Sequence, residues 1–97
     1  EELARAAGRE LVEETGYEAR EIAQVAVGPS SPGLTSETIG IFLATGLRKV
    51  GPGGGVESEE ITVYEVPLAE VEAFLAERVA RGIHIDLKVY AGLYFAH

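Results

Sequence analysis

The sequence contains no cysteine, which excludes disulfide bonds and thiolate-bound zinc and favours a cytoplasmic location. It also lacks any apolar run near the roughly 18–20 residues that cross a bilayer, so we expect no membrane-spanning segment. Its acidic start, Glu1-Glu2, is unlike a signal peptide, which opens with a basic stretch followed by an apolar one. The length of 97 residues indicates one small globular domain.

Positive charge is scarce as well. Eight Lys plus Arg stand against 16 Asp plus Glu, which gives a formal net charge of -8. Such a field repels phosphate backbones, so we expect no nucleic acid as partner. A small phosphate-bearing molecule could bind this acidic protein only if cations mediate the contact.

Hydrophobic periodicity and turn residues predict a helix, three strands and two further helices. The predicted helices are Glu1–Thr15, Leu68–Arg81 and a last one capped by Asp86, and the predicted strands are Ala23–Val27, Thr38–Leu47 and Ile61–Val66. Gly28–Ser36 is predicted to be a loop, and Arg48–Gly55, which ends in Gly-Pro-Gly-Gly-Gly, a flexible connection. Three strands make a poor core for three helices, so we expect further strands before Glu1.

The two C-terminal helices each carry an apolar stripe at helical spacing. We expect the following side chains to face a core: Leu68, Val71, Leu75 and Val79 on the first helix, and Leu87, Tyr90 and either Leu93 or Tyr94 on the second. Gly82 is predicted to end the first of these helices.

The first helix separates an apolar face from an acidic one. Its apolar face consists of Leu3, Ala4, Ala7, Gly8, Leu11 and Val12. Glu10, Glu13 and Glu14 share another arc, where each pair of neighbouring like charges costs roughly 0.2–0.5 kcal/mol. Arg9 lies one turn before Glu13 and offsets part of this repulsion. Gly16 is predicted to end the helix in a left-handed conformation.

This acidic face has two interpretations. Most acidic helix faces are simply solvated. A divalent cation would instead turn the repulsion among the three carboxylates into attraction, and carboxylates without Cys or His suit hard ions such as Mg²⁺ or Mn²⁺.

A sequence motif distinguishes between the two interpretations. Glu1 is followed by seven residues and then by the run Arg9-Glu10-Leu11-Val12-Glu13-Glu14-Thr15-Gly16-Tyr17. From the first Glu onward, every position fits the motif G-x5-E-x7-R-E-U-x-E-E-x-G-U, in which U is apolar or aromatic. The sequence therefore resembles the Nudix hydrolase family. The leading Gly of the motif would fall six residues before Glu1.

The resemblance implies an α+β fold, a Nudix-type α/β/α sandwich with a mixed sheet. Residues 1–97 would be the C-terminal part of a single Nudix domain, starting inside the motif and lacking the N-terminal strands.

The resemblance also implies roles for the motif residues. Glu10 and Glu14 match the glutamates that bind the metal ions, and Glu13 matches a further ligand that takes part in catalysis. Arg9 matches the arginine that braces these glutamates by pairing with the first Glu of the motif, here Glu1.

Residues 31–37, Ser-Pro-Gly-Leu-Thr-Ser-Glu, are similar to a segment with a marker proline in the ADP-ribose pyrophosphatases of this family. The resemblance implies that Pro32, Gly33 and Glu37 contact substrate. Residues 86–95, Asp-Leu-Lys-Val-Tyr-Ala-Gly-Leu-Tyr-Phe, are similar to the last helix of the same enzymes.

Residues 57–60, Glu-Ser-Glu-Glu, resemble the acidic loop of those enzymes, which supplies a general base and sometimes a metal ligand. The alignment favours Glu57 as the base and Glu59 as the ligand, and the choice between the two stays open at this point. Clusters of loop glutamates are otherwise most often solvated.

The implied reaction is Mg²⁺-dependent hydrolysis of the pyrophosphate bond of ADP-ribose to AMP and ribose 5-phosphate, by a cytoplasmic homodimer. The expected partner is a small nucleotide-sugar, with neither nucleic acid nor membrane. One alternative is a Nudix hydrolase of another nucleoside diphosphate-sugar or nucleotide. Another is a non-catalytic Nudix-fold module that binds a nucleotide or a protein.

Overall fold

The computed structural model describes residues 2–97. In chain order the elements are α1 (Glu2–Thr15), β1 (Tyr17–Pro29), β2 (Thr38–Lys49), a 3-10 turn (Leu68–Glu70), α2 (Val71–Ala80) and α3 (Leu87–Ala96). They form two compact units, one reaching to Val63 and the other comprising Tyr64–His97. The combination of helices with an antiparallel strand pair confirms the predicted α+β class.

α1 packs against β1 with its apolar face. A Cβ built on Gly8 would lie 3.1 Å from Cδ1 of Ile22, so the glycine allows the helix to lie close to the strand. The predicted face is half-buried except at Leu3, which is 63% exposed. The helix ends as predicted at Gly16, whose φ is +80°.

β1 and β2 form an antiparallel hairpin that runs from Tyr17 opposite Lys49 to Pro29 opposite Thr38, with a β-bulge after Gln24. Both strands contain the predicted apolar runs and extend beyond them. The extension was not predicted because the hydrogen-bond ladder continues through polar residues, which an antiparallel pair can expose to solvent on one face.

The prediction of a strand at Ile61–Val66 is wrong. This segment has no regular secondary structure, and the sheet within residues 2–97 has two strands. A strand forms only where its backbone pairs with a neighbour. The Ile61 N–H donates instead to the carbonyl of Gly54 at 3.2 Å. Side chains that alternate between two faces of a segment do not by themselves provide a neighbouring strand for it to pair with.

The second unit is organised around α2. The guanidinium of Arg78 lies 4.9 Å from the ring centroid of Tyr64 and 4.6 Å from that of Phe74. The two rings pack on each other with centroids 5.6 Å apart. Leu75 is buried, at 8% exposure.

Most of the predicted core-facing stripes in this unit are not covered. Of the alternatives Leu93 and Tyr94, Leu93 is half-buried and Tyr94 is exposed. The other exposed members within residues 64–97 are Leu68, Val79, Leu87 and Tyr90. The prediction that these side chains face a core is wrong for this part of the chain, because a helical stripe is buried only where another element covers it.

The N-terminus of α3 forms as predicted. The Lys88 N–H donates to Oδ1 of Asp86 at 2.9 Å, and Nζ of Lys88 lies 2.9 Å from Oδ2. These contacts, the backbone hydrogen bond first, lower the pKa of Asp86 below its ordinary value of 3.8. Gly82, with φ of +87°, follows α2.

No helix in residues 2–97 is long and apolar enough to span a bilayer.

Candidate functional site

The three glutamates of the predicted acidic face lie in the second half of α1. Glu10 and Glu13 are exposed, and Glu14 is half-buried. Glu10 and Glu14 are one helical turn apart, which places their Cβ atoms about 5–6 Å from each other on one side of the helix. Arg9 is exposed on the same helix. Its predicted partner, Glu1, lies outside the described residues.

A loop of Gly51–Gly55, here named the glycine loop, docks onto the C-terminal end of α1. The N–H of Gly54 donates to the carbonyl of Glu14, and the N–H of Gly55 to the carbonyl of Glu13, each at 2.9 Å. The last carbonyls of a helix have no donor within the helix. The glycine loop supplies these donors, so the prediction of a flexible connection is wrong.

This docking brings the two backbones too close together for side chains. A Cβ at Gly53 would lie 2.6 Å from the carbonyl carbon of Thr15, and a Cβ at Gly16 would collide with the carbonyl of Gly51. The N–H groups of Val50 and Gly51 both donate to the Gly16 carbonyl, at 2.7 and 3.1 Å. Glycine is therefore required on both sides of the contact.

The glycine loop continues directly into the acidic loop, residues Glu57–Glu60. Oε1 of Glu59 accepts the Val56 N–H at 2.8 Å, and the Glu59 N–H donates to the Val56 carbonyl at 2.8 Å. Glu57 is exposed. Because consecutive Cα atoms are 3.8 Å apart, the Cα of Glu57 lies within about 8 Å of that of Gly55. The acidic loop is thus held near the end of α1 that carries the motif glutamates.

The carboxylates fit a hard cation by their chemistry, since oxygen donors are what Mg²⁺ prefers. Within residues 2–97, however, no three His, Asp or Glu side chains converge as a metal-binding group. The ligand roles of Glu10, Glu13, Glu14 and Glu59 therefore stay predictions. One oxygen of Glu59 already accepts the Val56 N–H, so its second oxygen would have to serve as the ligand.

Pro32, Gly33 and Glu37 lie in the loop between β1 and β2. Ser30 closes the base of this loop, with its Oγ donating to Oε1 of Glu37 at 2.9 Å and its N–H donating to the Glu37 carbonyl at 3.1 Å. β1 has 13 residues, which correspond to about 40 Å of strand. The loop is therefore at the opposite end of the hairpin from the glycine loop. The structure does not bring these three residues to the carboxylates of α1 within one chain.

The structural role of the glycine loop was not predicted from the sequence. The signal that could have revealed it lies in α1, where the carbonyls of Glu13 and Glu14 need donors from outside the helix. A later run of glycines is a source of backbone N–H groups that can approach without steric hindrance.

No protein-family model matches the chain, but curated relatives do. The chain is 38% identical over 82 residues to a GDP-mannose pyrophosphatase of Cronobacter sakazakii. The aligned region covers 82% of the chain and 41% of the relative. It is 39% identical over 69 residues to one of Citrobacter koseri, which covers 69% of the chain and 36% of the relative.

An ADP-ribose pyrophosphatase of Mycobacterium tuberculosis is 36% identical over 92 residues, which are 94% of the chain and 42% of that relative. The chain spans about two-fifths of the length of these relatives. The chain thus resembles the Nudix hydrolases in its α1 motif, and over most of its length it is similar to GDP-mannose and ADP-ribose pyrophosphatases.

Proposed function

We propose that this protein hydrolyses the pyrophosphate bond of ADP-ribose to AMP and ribose 5-phosphate, with Mg²⁺ as its cofactor. The observation that carries the proposal is the docking of the glycine loop, which holds the acidic loop at the end of α1 that bears Glu13 and Glu14. ADP-ribose is favoured because the relative named for it aligns over 94% of the chain.

Glu10, Glu13 and Glu14 would hold the metal, with the second oxygen of Glu59 as a further ligand. Bound Mg²⁺ supplies positive charge to the diphosphate and lowers the pKa of water. This cation also reconciles a net charge of -8 with an anionic substrate. Arg9 stands one turn before Glu13, where its charge limits the repulsion among the carboxylates.

Glu57 is the general base, which accepts a proton from the water that attacks phosphorus. It is favoured over Glu59 because the Glu59 carboxylate is engaged by the Val56 N–H at 2.8 Å. Glu57 is exposed, in the acidic loop that follows the glycine loop. The bond from the attacked phosphorus to the bridging oxygen breaks, which separates AMP from ribose 5-phosphate.

The complete domain would be an α/β/α sandwich with a mixed sheet, and the protein a cytoplasmic homodimer. The dimer is supported by the position of Pro32, Gly33 and Glu37, which lie about 40 Å along the hairpin from the end of α1. From there they would contact substrate bound by the second copy.

GDP-mannose is the second candidate substrate, since the relative that is 38% identical over 82 residues is named for it. The same carboxylates would serve, because the reaction takes place at the diphosphate that both substrates share. Only the recognition of base and sugar would differ.

The substrate is tested by assaying the full-length protein with ADP-ribose and with GDP-mannose, with Mg²⁺ and after addition of EDTA. We expect AMP release from ADP-ribose with a higher kcat/KM than GMP release from GDP-mannose, and loss of both in EDTA. Tight binding of either nucleotide-sugar without turnover would instead favour a non-catalytic module.

The metal-ligand role is tested by Glu14→Gln, which removes a charge and keeps the size of the side chain. We expect kcat to fall by at least about 100-fold, since losing even an outer-shell partner of a metal typically costs 10–100-fold. Glu2→Gln, the same change in the first turn of α1, is the matched control and should leave kcat unchanged. Equal kcat values for the two variants would reject the role of Glu14.

A further inference from the structure

The glycine loop lies outside the Nudix motif, yet it is the part of the chain that joins the motif helix to the acidic loop. Its N–H groups at positions 54 and 55 bind the backbone carbonyls of Glu14 and Glu13. We propose that Gly53–Gly55 are positioning residues, which set the distance between the general base and the carboxylates of α1. This inference rests on the proposed hydrolase function.

Three consecutive positive φ angles define the path of this segment. Gly53, Gly54 and Gly55 have φ values of +70°, +93° and +90°, which side chains disfavour. At Gly53 the added obstacle is the backbone of Thr15, whose carbonyl oxygen would lie 2.8 Å from the Cβ. The path of the loop is therefore specified by glycine at each of these positions.

The positioning continues beyond the glycines to the base itself. A reciprocal pair of hydrogen bonds between Val56 and Glu59 closes the next turn, with Glu57 inside it. A Cβ at Gly55 would lie 2.6 Å from Oε1 of Glu59, so this turn also depends on glycine. Backbone contacts thus connect the motif helix to Glu57 without a break.

The docking also has an electrostatic consequence. The carbonyls at the C-terminal end of a helix carry negative partial charge, which disfavours carboxylates in the last turn. The N–H groups of Gly54 and Gly55 lie against this negative end. They therefore make the position of Glu13 and Glu14 less unfavourable, in addition to fixing the loop.

The test compares Gly53→Ala with Gly51→Ala in the full-length protein. Gly51 lies in the same loop but has no atom within 4 Å of a built Cβ, so it is a matched control. For Gly53→Ala we expect the amide exchange of Gly54 and Gly55 to accelerate and kcat to fall at least about tenfold, since small misplacements of reacting groups are costly. KM should change little, and Gly51→Ala should behave as the parent.

A double-mutant cycle with Glu57→Gln separates positioning from general loss of structure. If Gly53 acts through the base, Gly53→Ala should have little further effect on kcat once Glu57 is replaced. Should Gly53→Ala fail to fold, Gly55→Ala replaces it, because its Cβ meets the Glu59 side chain and Ile61 rather than the helix backbone.

Each outcome decides the inference. The positioning role would be overturned if Gly53→Ala lowered kcat by the same factor with Glu57→Gln as without it. It would also be overturned if Gly53→Ala and Gly51→Ala had equal kcat. Either result would leave the hydrolase function intact. A parent protein that cleaves no nucleotide-sugar would overturn the function and, with it, this inference.

Discussion

Gly16 combines two constraints at the end of α1. Its φ of +80° is disfavoured for other residues, and a Cβ there would strike the carbonyl of Gly51. We expect Gly16→Ala to lower the free energy of unfolding by about 1–2 kcal/mol for the backbone conformation and by about 1–3 kcal/mol more for the steric conflict. The measurement is urea unfolding followed by circular dichroism.

Gly33→Ala separates the two contributions to the Gly16 prediction. Gly33 has a similar φ of +84°, but no atom lies within 4 Å of its built Cβ. This variant should therefore show the backbone cost alone. Equal losses in the two variants would mean that the contact with Gly51 contributes nothing.

At the residue scale, the sequence predicts those features that depend only on residues close together in the chain. The helix stop at Gly16 and the cap at Asp86 are both confirmed, because each depends on neighbouring residues. The docking of Gly54 and Gly55 on Glu14 and Glu13 was not predicted, since it joins segments far apart in the chain. The catalytic and metal-binding roles of the glutamates stay predictions.

At the scale of elements, α2 and α3 offer a direct comparison of helix N-termini. Asp86 caps α3 with its side chain, whereas Glu70, at the same position before α2, makes no side-chain cap hydrogen bond. We expect Asp86→Ala to accelerate amide exchange in the first turn of α3, and Glu70→Ala to leave α2 unchanged. Equal effects of the two substitutions would contradict the capping role.

The cap of α3 also predicts a pH dependence. The pKa of Asp86 is lowered below 3.8 in the folded protein, chiefly by the Lys88 backbone N–H. A carboxyl with a lowered pKa stabilises the fold above its ordinary value, and this contribution is lost as the pH falls through the lowered pKa. As the pH falls below 3.8, amide exchange in α3 should therefore accelerate in the parent more than it does in Asp86→Ala, which lacks this carboxyl group.

Elements were predicted where the residues themselves specify the conformation. The apolar runs at 23–27 and 38–47 lie in strands, and 71–80 is helical as expected. Ile61–Val66 has the alternation of a strand but no pairing partner within residues 2–97, and pairing is what makes a strand. Strand lengths were underestimated because polar residues continue the ladder between β1 and β2.

At the scale of the whole molecule, the substrate role proposed for Glu37 and the proposed homodimer together predict an active site shared between two copies. Glu14→Gln and Glu37→Ala would each be inactive alone. In a homodimer whose sites combine α1 of one copy with the hairpin loop of the other, mixed dimers contain one intact site. After dissociation and random reassociation, we expect about one quarter of the parent activity.

The control for this mixture is Glu14→Gln combined with Glu10→Gln. Both changes lie on α1, so no mixed dimer would contain an intact site. If the variants are dimeric and the mixture of Glu14→Gln with Glu37→Ala is as inactive as the control mixture, each copy uses its own hairpin loop.

The docking of the glycine loop depends on main-chain groups alone. The carbonyls of Glu13 and Glu14 remain in place whatever side chain these positions carry, provided that α1 stays helical. Replacing both carboxylates would therefore remove the chemistry proposed for them and leave the junction between helix and loop in place.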